Sequence, residues 1–126
     1  MAGYVTNIED KTLKNSNFRE VLNTTPKSQL VVMNLKPGEE IGLEVHDNID
    51  QFLRIEAGEG KAVLNGEEYS LEDGSAVVVP AGTDHNIINT SADKELKLYT
   101  IYSPPEHSDS TIHKTKAEAE AAEHHH

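Results

Sequence analysis

Gly74-Ser75-Ala76-Val77-Val78-Val79-Pro80-Ala81-Gly82-Thr83-Asp84-His85-Asn86-Ile87-Ile88-Asn89 is the stretch that decides the fold. Ser75 to Val79 is a short β-branched run of the kind found in buried strands. Pro80-Ala81-Gly82 then makes a turn, because proline presets one backbone angle and glycine admits conformations other residues avoid. Thr83 to Asn89 reads as the next strand. Side chains two apart share a face of a strand, so His85, Ile87 and Asn89 look the same way. The local pattern alone does not say what His85 meets there.

The same texture continues outward from Leu30 to Tyr102. Short β-branched runs alternate with turn signals at Lys36-Pro37-Gly38-Glu39, Asp47-Asn48, Gly58-Glu59-Gly60, Asn65-Gly66, Asp73-Gly74 and Ser91-Ala92-Asp93. This spacing predicts an all-β sandwich or barrel. Lys61 to Leu64 and Glu67 to Leu71 flank Asn65-Gly66, the pair best suited to a two-residue hairpin turn. No βαβ rhythm appears, which argues against a parallel sheet, and there is no internal repeat.

Outside that region the pattern weakens. Residues 1–14 are polar. Ser16 and Asn17 can cap a short helix carrying Phe18, Val21 and Leu22 and ended by Pro26. Ser103-Pro104-Pro105 stops the last strand. Lys114 to Glu123, rich in Ala, Glu and Lys, can form a terminal helix or stay frayed. His124-His125-His126 reads as a tag remnant and enters no metal argument. The expected organisation is an N-terminal segment with a short helix over 1–29, a barrel over 30–102, a polar tail over 103–123, and the remnant at 124–126.

Composition narrows the partners. Eleven basic residues against 22 acidic ones give a formal charge of −11. Nucleic acid and anionic membrane surfaces both repel such a protein. No apolar run approaches the length of a membrane span, and no secretory signal opens the chain. There is no cysteine, which excludes disulfides, thiolate metal sites and cysteine nucleophiles. These features fit the cytoplasm and a small-molecule ligand.

A second stretch carries polar residues at strand spacing. In Gly38 to Gly60, Glu44 and His46 share one face, while Leu43 and Val45 take the other. Asp47-Asn48-Ile49-Asp50 can turn the chain back. Gln51, Leu53 and Ile55 then share a face, with Phe52 and Arg54 opposite. If that first face lines the interior, Gln51 arrives beside Glu44 and His46. Arg54, Glu56 and Asp84 are expected to face solvent, and either Tyr99 or Tyr102 can face the pocket.

The two stretches together resemble the cupin superfamily. Gly38, five residues, Glu44-Val45-His46, four residues, Gln51, six residues, Gly58 has the spacing of its first motif. Gly74, five residues, Pro80-Ala81-Gly82, two residues, His85, three residues, Asn89 has the spacing and residues of its second. The resemblance covers about residues 30–102. It departs where Glu44 replaces the first histidine and Gln51 the glutamate. The resemblance implies a double-stranded β-helix (jelly-roll) barrel, a homodimer, and a divalent metal held by Glu44, His46, Gln51 and His85. The set keeps one negative charge, as the family's does. Two imidazoles and a carboxylate suit iron(II), and manganese, nickel, cobalt or zinc are also compatible. A carboxamide oxygen is a weak ligand, so Gln51 can instead hold a water.

The sequence Tyr102-Ser103-Pro104-Pro105-Glu106-His107 and the later Ile112-His113-Lys114 resemble small cupins grouped with mannose-6-phosphate isomerase. That likeness implies an isomerase-like metal-dependent enzyme acting on a sugar or sugar acid. An iron-type dioxygenase and a non-enzymatic metal or small-ligand binding protein are the alternatives. His107 and His113 lie in a tail that can cross a barrel mouth, meet a neighbouring subunit, or stay mobile. No Arg or Lys cluster stands near the motifs, which counts against phosphosugars.

Overall fold

The computed structural model describes residues 3–123, so the stretch read as a tag remnant lies outside the described residues. Nine strands follow a short helix α1 (Ile8–Lys14): β1 (Arg19–Thr24), β2 (Gln29–Leu35), β3 (Asp50–Ala57), β4 (Gly60–Leu64), β5 (Glu67–Leu71), β6 (Ala76–Val79), β7 (His85–Asn89), β8 (Leu96–Ser103) and β9 (Ile112–His113). Helix α2 (Lys116–Glu123) ends the described chain. The strands form a six-stranded sheet in the order β6-β3-β8-β2-β1-β9 and a three-stranded sheet in the order β5-β4-β7. All pairings are antiparallel, as the turn-rich pattern requires. Among the described residues no helix is long and apolar enough to cross a membrane.

Strand alternation builds the core. Val31, Met33 and Leu35 of β2, Leu53 and Ile55 of β3, and Leu96 and Leu98 of β8 are fully buried. They meet Ala62 and Ile87 of the smaller sheet. Each large aliphatic side chain buried this way contributes roughly 1.5–3 kcal/mol. The expected hairpin is present: Leu64 pairs with Glu67 across Asn65 and Gly66, whose φ angles are +49° and +84°. Two positive φ angles in a row are the requirement that Asn-Gly meets. Ser75 to Val79, expected to be buried throughout, instead alternates. Val77 and Val79 point inward while Val78 is 65% exposed, because β6 is an edge strand with one face in water.

The helix expected after Ser16 does not form. Those residues are β1, which pairs with β2 through a turn at Thr25–Ser28. Ser28 N donates to Thr25 Oγ1 at 3.0 Å, so Pro26 sits in a hairpin rather than at a helix stop. Arg19 and Val21 turn inward and are buried, a two-residue alternation that outweighs the local helix signal. The N-terminal helix lies earlier. Asn7 caps it by accepting from Asp10 N at 2.9 Å, with Glu9 and Asp10 in the first turn and Lys11 and Lys14 in the last. Those charges complement the helix dipole. Its one buried residue is Thr12, which is why no apolar periodicity announced it.

Strand pairing therefore runs past residues 30–102 on both sides, from Arg19 to His113. The tail is held across the barrel. Gln29, fully buried, donates from Nε2 to His107 O at 2.7 Å and accepts from Glu106 N and His107 N at 3.2 and 3.0 Å. Phe18 N donates to Lys114 O at 3.1 Å and Val21 N to Thr111 O at 2.9 Å. Helix α2 starts with a reciprocal cap: Glu118 N donates to Thr115 Oγ1, and Thr115 N donates to Glu118 Oε2, both at 3.1 Å. It docks through the buried Ala119. Glu56, expected in solvent, is buried and pairs with Arg54. The register slips between Ile55 and Ala57, and such a bulge breaks the strict alternation that placed Glu56 outside.

Candidate metal centre

A bulge and two joined turns assemble the polar cluster. Residues 39–44 run along the edge of β7, with Ile41 N donating to Ile87 O at 2.9 Å and His85 N to Glu44 O at 2.8 Å. The pairing moves from Glu40↔Ile88 to Glu44↔His85, so one extra residue is accommodated between them. Gly42, at φ +109°, supplies the bend, and its amide donates to Asn86 Oδ1 at 2.9 Å. Beyond the bend Leu43 and Val45 are 71% and 49% exposed, leaving Glu44 and His46 turned toward the barrel. The Pro80-Ala81-Gly82 turn is tied to the turn after His46. Gly82 N donates to His46 O, and Ala81 N to Asp50 Oδ1, both at 2.8 Å. These bonds join the two distant stretches.

Glu44, His46 and His85 each offer a ligand atom, and these atoms lie within 4.8 Å of one another. Glu44 Oε2 is 3.6 Å from His46 Nε2, and the imidazole centroids are 5.3 Å apart. His85 Nδ1–H donates to Thr83 O at 2.9 Å. The Nε2 lone pair is left buried with no hydrogen-bond partner among the described residues. His46 Nδ1 is 3.1 Å from Glu106 Oε2, which leaves its Nε2 on the cluster side. Gln51 lies on the inward face of β3, in register with Val79 and Tyr102. Its Nε2 donates to Thr100 Oγ1 at 3.0 Å, and its Oε1 is buried with no hydrogen-bond partner among the described residues.

An unpaired buried acceptor costs roughly 1–3 kcal/mol. His85 Nε2 is one, and it stands with the Glu44 carboxylate and the His46 imidazole in a donor set that fits a divalent cation. Asn89, in contrast, is spent on the fold. Its Nδ2 donates to Leu35 O, Lys36 O and Lys94 O at 3.0, 3.1 and 2.8 Å.

Sequence reasoning missed much of the surrounding shell. Glu106 orients His46 from 60 positions away. Arg19 is buried at the mouth, and its Nη1 donates to His113 Nδ1 at 3.4 Å. Of the two tyrosines, Tyr102 faces inward, edge-on to His46, while Tyr99 stacks obliquely on Phe52 outside the cluster. Burial raises the Tyr102 phenol above its ordinary pKa. The charges of Glu44 and Glu106 add to this and Arg19 opposes it. Tyr102 OH lies 3.4 Å from His107 Nε2. Burial lowers His107 to about 3, with Arg19, His113 and His46 acting in the same direction.

His107 makes the fold acid-sensitive. Its folded pKa lies below the unfolded value of about 6.5, so the unfolded chain takes up the proton first. No stability is lost above pH 7, and the loss grows as pH falls from there toward 3. For a partly exposed ring the expected loss between pH 7 and 5 is about 0.5–1 kcal/mol. Urea midpoints at the two pH values should fall further for the parent than for His107→Gln. Equal falls would contradict this.

Comparison with known proteins agrees with the barrel. A family profile described as the cupin domain matches residues 31–102. The chain is 49% identical over 126 aligned residues to the uncharacterized protein YrkC of Bacillus subtilis, covering 95% of this chain and 67% of that protein. It is 48% identical over 107 residues to the uncharacterized protein L612 of Acanthamoeba polyphaga mimivirus, covering 82% and 67%. The crystal structure of BH2720 from Bacillus halodurans superposes with a TM-score of 0.93 at 43% identity, covering 95% of each chain.

Proposed function

The chain belongs to the cupin family, and from that premise we propose that it is a metal-dependent enzyme acting on a small polar molecule such as a sugar or sugar acid. Glu44, His46 and His85 would hold the ion, with Gln51 as a weaker fourth contact. One observation carries this reading: three ligand atoms within 4.8 Å. It is supported by His85 Nε2 and Gln51 Oε1, both buried with no hydrogen-bond partner among the described residues. A divalent ion held there would supply Lewis-acid polarisation of a substrate carbonyl oxygen.

The chain's own residues do the rest. Thr83 O selects the His85 tautomer that exposes Nε2. Glu106 does the same for His46 and fixes the orientation of its ring. Thr100 takes the Gln51 amide hydrogen and so directs the amide oxygen away from itself. Tyr102 keeps its proton at neutral pH, and His107 stays unprotonated. This leaves a hydrogen-bond donor and an acceptor side by side, able to orient a polar ligand, while pKa values so far from neutrality suit neither group to general acid–base work.

Elemental analysis of the purified protein, followed by a turnover screen of sugars and sugar acids with each metal, tests the proposal. Stoichiometric metal with turnover is the expected result. Metal without turnover on any substrate would leave a binding protein, and a protein that takes up no divalent ion would refute the site.

The outer shell makes a separate prediction. Glu106→Ala should lower metal affinity by about 10–100-fold while the protein stays folded. Gln51→Leu should lower it less, because an amide oxygen is the weakest ligand of the set. Competitive titration against a fluorescent chelator measures both. Unchanged affinity in Glu106→Ala would show that His46 needs no orienting carboxylate.

A further inference from the structure

The mouth of the barrel holds a cation that the metal cluster does not use. Arg19, on β1, is 3% exposed. Its side chain is contacted by the His113 ring nitrogen at 3.4 Å, the Tyr102 hydroxyl, and the Phe18 ring, whose centroid is 5.3 Å away. None of these three contacts carries a negative charge, and the Glu44 and Glu106 carboxylates share the cavity that Arg19 lines. The guanidinium Nε is buried with no hydrogen-bond partner among the described residues. A buried guanidinium N–H left without an acceptor is costly, and a ligand oxygen placed there would satisfy it.

Arg19 also lines two cavities that share Glu44 as a wall. One, of about 240 Å³, is bounded by Glu106, His107 and His113. The other, of about 220 Å³, lies under Lys116 and Ala119 of α2. Both are smaller than the roughly 300–1,000 Å³ of drug-sized sites, so the ligand is small. Lys116 and Glu120 on the rim face each other at 3.9 Å and largely cancel.

We propose that Arg19 is the anion-recognition residue of this site, and that its ligand is a small monocarboxylate whose other oxygens reach toward Glu44, His46 and His85. The charge balance selects the ligand class. Glu44 and Glu106 bring two negative charges and Arg19 one positive. Without a metal the pocket is therefore net negative and repels anions. A divalent ion makes it net positive by one unit, which a monocarboxylate neutralises. A phosphate dianion would return it to net negative. Carboxylate binding should thus require the metal, and by linkage the carboxylate should tighten the metal. A planar guanidinium with an unused donor matches a carboxylate in shape as well as charge.

The inference rests on the proposed metal centre, so the test reads both. Metal content is measured first. Calorimetry on the metal-loaded and metal-free protein then compares glycolate, pyruvate and gluconate with ethylene glycol, acetone and glucose, and with glucose 6-phosphate. Expected is binding of at least one carboxylate in preference to its neutral counterpart, seen with the loaded protein only. Arg19→Met should weaken it by about 100-fold with metal content unchanged, and Arg19→Lys by less. Melting curves check that both variants fold, and the Lys variant serves if the Met variant does not. If the parent binds metal but prefers no carboxylate, prefers the phosphate, or keeps its carboxylate affinity in the Arg19 variants, the assignment of Arg19 is overturned and the metal centre stands. A parent that binds no metal overturns both.

Discussion

His85→Ala should abolish tight metal binding and, with it, the dependence of stability on metal. His85 is 4% exposed, and its Nε2 has no partner among the described residues. Its other nitrogen is committed to Thr83 O, so the ring cannot offer a substitute. The affinity loss should exceed the about 10–100-fold expected from removing an outer partner such as Glu106. A ligand that binds the folded state alone stabilises it by about 2.7 kcal/mol at 100 times its dissociation constant. Adding chelator should therefore lower the parent's melting temperature and leave that of His85→Ala unmoved. Glu44→Gln, which keeps shape but removes the set's one negative charge, should behave similarly. Stoichiometric metal in both variants would mean that the ion sits elsewhere.

The parts of this centre that could be read from sequence are those governed by strand alternation and turn chemistry. Glu44 with His46, and His85 with Asn89, differ by even numbers, and the period of two placed each pair on one face. Asn65-Gly66 announced its hairpin because few other pairs accept two positive φ angles. The bulge at Gly42 was not legible as such: Glu44 was expected in a regular strand, yet it pairs only as an isolated bridge with His85. Alternation past the bulge kept its orientation correct all the same.

The residues around the ligands were hidden for a different reason. Glu106 reaches His46 because Gln29 grips the backbone of Glu106 and His107. That clamp joins positions 77 and 78 apart in a tail with no apolar rhythm. Arg19 was obscured by an error in the element containing it. Read as helix, its segment gave no reason to aim a cation inward. Read as β1, alternation with Val21 buries it. No cluster of cations stands near the motifs along the chain, and Arg19 reaches the site only through the fold.

Gly58→Ala should cost the most stability of any single methyl addition near the motifs. Gly58 closes the first stretch at φ +98°, a region that costs an L-residue about 1–2 kcal/mol. The added carbon would also run into the Glu95 carbonyl oxygen and come within 3.0 Å of Leu96 Cα. Both are backbone atoms, and Leu96 begins β8, the strand that pairs with β3 and β2 at the centre of the large sheet. Relief would need β8 to withdraw. Yet Leu96 and Leu98 are fully buried, and a close-packed interior yields little. The combined loss should reach about 3–5 kcal/mol, a large share of the 5–15 kcal/mol typical of a whole domain. Gly66→Ala is the control: its φ is also positive, at +84°, but nothing lies within 4 Å of the added carbon. Urea denaturation should show the smaller, strain-only loss there. Similar losses at the two glycines would mean that backbone strain, rather than the approach of β8, is what position 58 demands.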